Sequence, residues 1–148
     1  MTEVITAKRY RAMCSKPCGK RKKAQIEHEH LEQVEFFLKL KSEMPKLYSV
    51  AYAIPNGGKR DPTVAKKLKA EGVKAGVLDI SIDEPLHGFH GLKIEMKRAD
   101  GGSLSPEQKN WCKKFVQRGY AVAVCHGCSE ALSAVYSYIN GEFKQYEV

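Results

Sequence analysis

Three residues near the middle of the chain have the types and spacing that chemistry needs: Asp79, Glu95 and Lys97. They lie in KAGVLDISIDEPLHGFHGLKIEMK, residues 74–97, which reads as two apolar runs joined by a turn containing Gly, His and Pro. Gly76–Ile82 and Gly91–Lys97 are bounded by glycine or turn residues and rich in Val, Ile and Leu, the composition of strands. In the second run Leu92, Ile94 and Met96 share one face, and Lys93, Glu95 and Lys97 share the other. Paired as a hairpin, the runs bring Asp79 close to Glu95 and Lys97. Two carboxylates held together repel unless a cation sits between them. Oxygen-only ligation suits Mg²⁺, which takes one or two protein carboxylates and keeps several waters. A lysine two residues after one carboxylate points to the same side, where it can orient a metal-bound water or balance charge on an attacked phosphate. The chemistry implied is metal-assisted phosphodiester hydrolysis. Alternating charges on a solvated sheet face give the same Glu-x-Lys pattern, so the elements around it must decide.

Those elements can be taken in order. From Gln25 to Leu40, the residues Ile26, Leu31, Val34, Phe37, Leu38 and Leu40 trace the apolar face of a helix. Glu29, Glu32 and Gln33 lie beside that face, so one acid can look inward across the sheet; His28 and His30 point in different directions and make a poor metal pair. Leu47–Ile54 is a strand candidate that ends in Pro55-Asn56-Gly57-Gly58-Lys59-Arg60, a turn whose backbone amides and two cations suit a phosphate. Asp61 is an N-cap with Pro62 at the first helical position. Val64, Ala65 and Leu68 supply that helix's apolar stripe, and Lys66, Lys67, Lys69 and Lys74 its basic outer face. After the hairpin, Ser105 caps another helix with Gln108 at N3. Gln108 is then either a capping-box partner or a hydrogen-bonding arm into the acidic cluster. Trp111, Phe115 and Val116 form the buried side of that helix, Tyr120–Cys125 is a buried strand, and Ser129–Ile139 is the last helix. Helices and strands in this order make an α/β fold, a mixed central sheet flanked by helices.

The chain's 148 residues are one domain's worth. A basic tail over residues 1–24 precedes a folded domain at 25–140 and a loose C-terminal tail at 141–148. A net charge of +8 favours a polyanionic partner such as nucleic acid. No stretch approaches the ~18 apolar residues of a membrane span, and no secretory signal opens the chain, so an intracellular protein without membrane contact is expected. Cysteine in that setting argues against a disulfide framework. Cys14/Cys18 and Cys125/Cys128 have spacings that zinc sites use, so a structural Zn²⁺ is one reading. In the other, Cys125 ends a buried strand and Cys128 begins a helix, both as small apolar residues.

With these pieces placed, the chain resembles the VRR-NUC family of the PD-(D/E)XK nuclease superfamily over roughly Glu27 to Tyr138. AIPNGGKRDPTVAKKLKAEGVKAGVLDI is similar to that family's loop, helix and strand leading to the acidic residue. GLKIEMKR resembles its Glu-x-Lys strand, LSPEQKNW its Gln-bearing helix and GYAVAVCHG its last strand. The resemblance implies a restriction-endonuclease-like core. It implies Asp79, Glu95 and the main-chain carbonyl of Met96 as ligands of Mg²⁺ (Mn²⁺ substituting), Lys97 as the catalytic lysine, Gln108 near it, and Glu29 from the first helix, with Glu32 competing. Read from the loop and the basic helix face themselves, DNA contacts are expected from Asn56, Lys59, Arg60 and Lys67. Where the family has proline before the acid, this chain has Leu78. Standalone relatives of this size resemble homodimeric enzymes of branched DNA, including four-way (Holliday) junctions, and a phage or mobile element would suit one. The alternatives are a general or flap-directed DNA nuclease, a DNA-binding module without catalysis, and a zinc-stabilised adaptor.

Overall fold

Six consecutive residues, Leu92–Lys97, form the strand on which the other elements are laid, and helices cover both of its faces. The computed structural model describes residues 22–55 and 61–147, with side chains of the first helix from His30 onward. Its order is α1 (Lys22–Glu43), α2 (Pro45–Tyr48), β1 (Ala51–Ala53), α3 (Pro62–Ala70), β2 (Ile80–Ile82), β3 (Leu92–Lys97), α4 (Pro106–Gln117), β4 (Ala121–His126) and α5 (Gly127–Asn140). The strands make one sheet in the order β1-β2-β3-β4. β2 pairs antiparallel with both β1 and β3, while β4 runs parallel to β3 after the α4 crossover. This is the mixed α/β sheet expected from the sequence. No described helix is long and apolar enough to cross a membrane.

Period-two alternation sends the two sides of β3 into different cores. Leu92, Ile94 and Met96 pack with Phe36 and Leu40 of α1 and with Ala131, Val135 and Tyr138 of α5. On the opposite face, Leu78, Leu104 and Val122 pack with Cys112 of α4, and Trp111, Phe115 and Val116 lie against them. Lys93 and Glu95 point to that second side, and they are 7% and 1% exposed. The solvated-face reading of the Glu-x-Lys pattern is therefore wrong: a helix, not water, covers these side chains.

Four local expectations change. The apolar run from Leu47 is partly helical, because Pro45 opens the short turn α2 and Leu47 reaches the core from there; only Ala51–Ala53 pairs. β2 begins at Ile80 rather than at Gly76. Asp61 caps α3, its carboxylate accepting from Thr63 N at 2.8 Å, but no residue of α3 is buried, so Val64 and Leu68 supply no core stripe. The residues expected as a loose end are docked. Phe143 stacks edge-on against Phe89 and Tyr138, and the Gln145 side chain accepts from Val122 N and donates to Tyr120 O, each at 3.1 Å. Tyr146 N donates to Val122 O at 3.2 Å. These bonds satisfy part of the outer edge of β4, which would otherwise present unpaired backbone groups.

Gln145→Ala leaves the buried Val122 amide without its acceptor and is expected to lower stability by about 1–2 kcal/mol in urea unfolding. Lys144→Ala, at an exposed neighbour, is expected to leave the transition unchanged.

Candidate active site

The antiparallel register of β2 on β3 sets the site. Ile80 pairs with Ile94 and Ser81 with Lys93, so Asp79, one residue before β2, lies opposite Glu95. The backbone of Asp79 is still held by the sheet, its carbonyl accepting from Ile54 N at 2.7 Å. Its carboxylate Oδ2 accepts from Met96 N at 2.9 Å, where continued strand pairing would have placed a backbone carbonyl. A strand residue sends N–H and C=O to the same side, so the Met96 carbonyl faces the same flank as the amide that Asp79 engages.

Glu95 and Lys97, two residues apart, share the face under α4. Lys97 Nζ lies 2.8 Å from Glu95 Oε1 and 3.1 Å from Gln108 Oε1, and Gln108 Nε2 donates to the same Glu95 oxygen. Gln108 Oε1 also accepts from Ser105 N at 2.9 Å, while Gln108 N donates to Ser105 Oγ at 3.2 Å. The two sequence readings of Gln108 are both realised, because the capping box at the start of α4 aims the amide at the acid pair.

Burial pushes the Asp79 carboxyl above its ordinary range. The Met96 amide, the Lys97 ammonium and a hydrogen bond with Glu95 pull against that without reversing it. The donors here are oxygen only, and among the described residues no three His, Cys, Asp or Glu side chains cluster to hold a metal. Two facing carboxylates with a main-chain carbonyl beside them fit a hard divalent cation that draws its other ligands from water and substrate. They do not fit zinc's preference for nitrogen and sulfur.

The turn before β2 is seated by close approach to α4. Gly76 has φ +72°, and a Cβ there would come within 2.6 Å of Glu107 Cβ and 3.1 Å of Gln108 N. Trp111 Nε1 donates to Ala75 O at 3.0 Å, tying the same turn to the same helix. Sequence reasoning took Gly76 as a strand start and Trp111 as core alone. Neither reading revealed this link between Asp79's turn and Gln108's helix.

A second polar cluster was also missed. Lys93 donates to Ser81 Oγ and lies 3.2 Å from Asp83 Oδ1, with its ammonium 4.6 Å from the centre of the Tyr120 ring. Ser81 Oγ and Tyr52 OH donate to the Asp83 carboxylate at 2.6 and 2.9 Å. Partial desolvation raises the Asp83 pKa, but bonds from Ser81, Tyr52 and Lys93 outweigh it and leave the group below its ordinary value. The available signal was Lys93's place on the same strand face as Glu95.

Other expected residues lie elsewhere. Glu32 is engaged at the start of α5: its Oε2 accepts from Cys128 N at 2.7 Å and satisfies the first turn of that helix. Glu29 lies on α1, with its side chain outside the described residues. Asn56, Lys59, Arg60, Cys14 and Cys18 also fall outside them. Lys67 is exposed on α3, 3.9 Å from Glu71 Oε1. Cys125 and Cys128 are buried free thiols in the apolar core, and burial pushes their pKa values up to about 12 and about 11. Their burial in that core fits the reading of both as small apolar residues.

Comparison with known proteins points the same way. The VRR-NUC domain family model matches residues 57–129. A solved structure described as a VRR_NUC domain protein is 29% identical, covering 78% of this chain and 92% of its own, with a TM-score of 0.67. No curated protein matches.

The raised Asp79 pKa has a thermodynamic consequence with a definite sign. A carboxyl that holds its proton more tightly when folded contributes stability at low pH, and that contribution is lost as pH rises through the folded value. Asp79→Asn, which keeps an acceptor for Met96 N but never ionises, is therefore expected to melt a few degrees above the unaltered metal-free protein at neutral pH. The gap should close below the ordinary aspartate pKa of about 3.9, as thermal melts across pH would show.

Proposed function

We infer, from the match of residues 57–129 to the VRR-NUC domain family and from the cluster at the start of α4, that the protein is a divalent-metal-dependent DNA endonuclease. The observation that supports this most is the convergence of Lys97 and Gln108 on the oxygen of Glu95 that faces them, with Asp79 opposite. Asp79, Glu95 and the main-chain carbonyl of Met96 would hold the cation, Mg²⁺ with Mn²⁺ as a substitute. When bound, that ion supplies an acidified water and polarises the scissile phosphate.

The remaining work belongs to this chain's own residues. Lys97 places its ammonium against the attacked phosphate and offsets the charge that develops there. Gln108 fixes Lys97 by accepting from it and fixes Glu95 by donating to it. Glu95, withdrawn from water, interacts with a cation more strongly than an exposed carboxylate would. Glu29 of α1 is the further acid proposed for the site. Asn56, Lys59, Arg60 and Lys67 would contact the DNA backbone, in keeping with a net charge of +8.

The substrate proposed is branched DNA, with the four-way junction foremost and a homodimer as the active form. A twofold dimer presents two active sites, matching the two strands to be cut. A flap-directed or general nuclease is the second reading, and a DNA-binding module without catalysis the third.

These readings separate on a panel of labelled junction, flap, duplex and single-stranded DNA with Mg²⁺. Asp79→Ala and Lys97→Ala are each expected to slow cleavage at least ~100-fold while DNA binding persists. Cutting confined to the junction supports the resolvase, and equal cutting of every DNA removes that specificity. If tight binding occurs with no cleavage in Mg²⁺ or Mn²⁺, the catalytic reading fails.

A further inference from the structure

The parallel register of β4 on β3 sets His126 directly beside Lys97. Ladder partners project to the same side of a sheet, so the His126 imidazole stands on the face that carries Glu95 and Lys97. Glu130, one turn into α5, holds it. Its Oε2 accepts from His126 N at 2.7 Å and lies 3.3 Å from the ring Nδ1. The other ring nitrogen, Nε2, lies 3.5 Å from the carbonyl oxygen of Gly102.

Gly102 leads back to the lysine. It follows a turn closed by Gly101 N donating to Arg98 O at 3.1 Å. A Cβ on Gly102 would sit 3.4 Å from Lys97 Cδ and 3.6 Å from Lys97 Cβ, so the turn's backbone runs along the lysine stem. Contacts therefore pass from Glu130 to His126, from His126 to Gly102, and from Gly102 to Lys97.

We propose that His126, oriented by Glu130, is a positioning residue for Lys97, acting through the Gly101–Gly102 turn that lies on the lysine's stem. The proposal rests on the nuclease reading above for its effect on rate, but the contact it describes does not. A lysine side chain has four rotatable bonds, and ordering it costs conformational entropy. The ammonium is fixed by Glu95 and Gln108. Once Glu95 turns its charge toward a cation, that hold weakens, and packing along the stem keeps the ammonium aimed. A loosened turn lets Lys97 sample orientations that do not reach the phosphate, which lowers turnover without weakening DNA binding.

The test compares the unaltered protein with His126→Ala and His126→Gln, whose amide can still donate toward Gly102 O. Two readouts are taken. In the first, an amine-reactive reagent labels the protein and the rate at Lys97 is followed by mass spectrometry, with exposed Lys67 as internal control. His126→Ala is expected to speed labelling of Lys97 several-fold and leave Lys67 unchanged, with His126→Gln close to the unaltered rate. In the second, His126→Ala is expected to lower kcat for DNA cleavage about 10-fold at unchanged KM and melting temperature, with His126→Gln restoring most of it. Unchanged Lys97 labelling overturns the proposal whatever the cleavage result. A raised KM with kcat preserved overturns it too, and makes His126 a direct DNA contact. Faster Lys97 labelling in a protein that cuts no DNA upholds the contact and places the failure with the nuclease reading.

Discussion

The structure depends on one register, that of β2 against β3. Because strand side chains alternate with period two, a slip of one residue would carry Asp79 away from Glu95 and turn Glu95 and Lys97 out from under α4. Both faces of β3 are covered, so such a slip would also push Leu92, Ile94 and Met96 into the wrong core. The network of Ser81, Lys93, Asp83 and Tyr52 sits one pair along the same ladder and spans β1, β2 and β3. Only the lysine end of this network is buried, for Asp83 is exposed; such a pair adds little stability, and its hydrogen bonds serve to specify one arrangement among several. Here the arrangement specified is the one that brings two acids face to face.

Burying Asp79 works against stability once it ionises. Asp79 keeps its proton more tightly than a free aspartate because burial penalises its charge. The fold tolerates this because the Met96 amide and the Lys97 ammonium partly offset the penalty, and because Gly76 lets the Asp79 turn press onto α4. A desolvated, charge-dense patch supported by well-packed neighbours is what a site arranged for chemistry presents, at some cost to the free protein.

Much of this was legible in the sequence, for identifiable reasons. Asp79, Glu95 and Lys97 could be brought together because a hairpin with period-two alternation leaves few alternatives, and Gln108 stood out because a capping box fixes its position on a helix. The covering of β3 was not legible, since alternating charges look alike on a wet face and under a helix. Helix register hid the fate of Glu32, whose partner, Cys128 N, is 96 residues away. The C-terminal residues read as loose because EFKQYEV is polar, yet Gln145 acts through a side-chain amide that substitutes for a strand. His126 lay inside a quoted segment, but its nearness to Lys97 follows only from a parallel pairing across α4. Cys125 and Cys128 had a metal-like spacing that the strand-to-helix junction explains without a metal.

Gln108 shows how narrowly one position can be specified. At the third residue of a helix, glutamate serves a capping box as well as glutamine does. Here the same side chain must also donate to Glu95 while accepting from Lys97 and Ser105. An ionised glutamate has no proton to donate and would add a third negative charge to a buried pair; asparagine is one methylene shorter. The local grammar of helix starts accepts two amino acids at this position, and the chemistry beneath α4 leaves one of them. Helix initiation and assembly of the Glu95–Lys97 cluster in this chain are thus a single event, written in one residue.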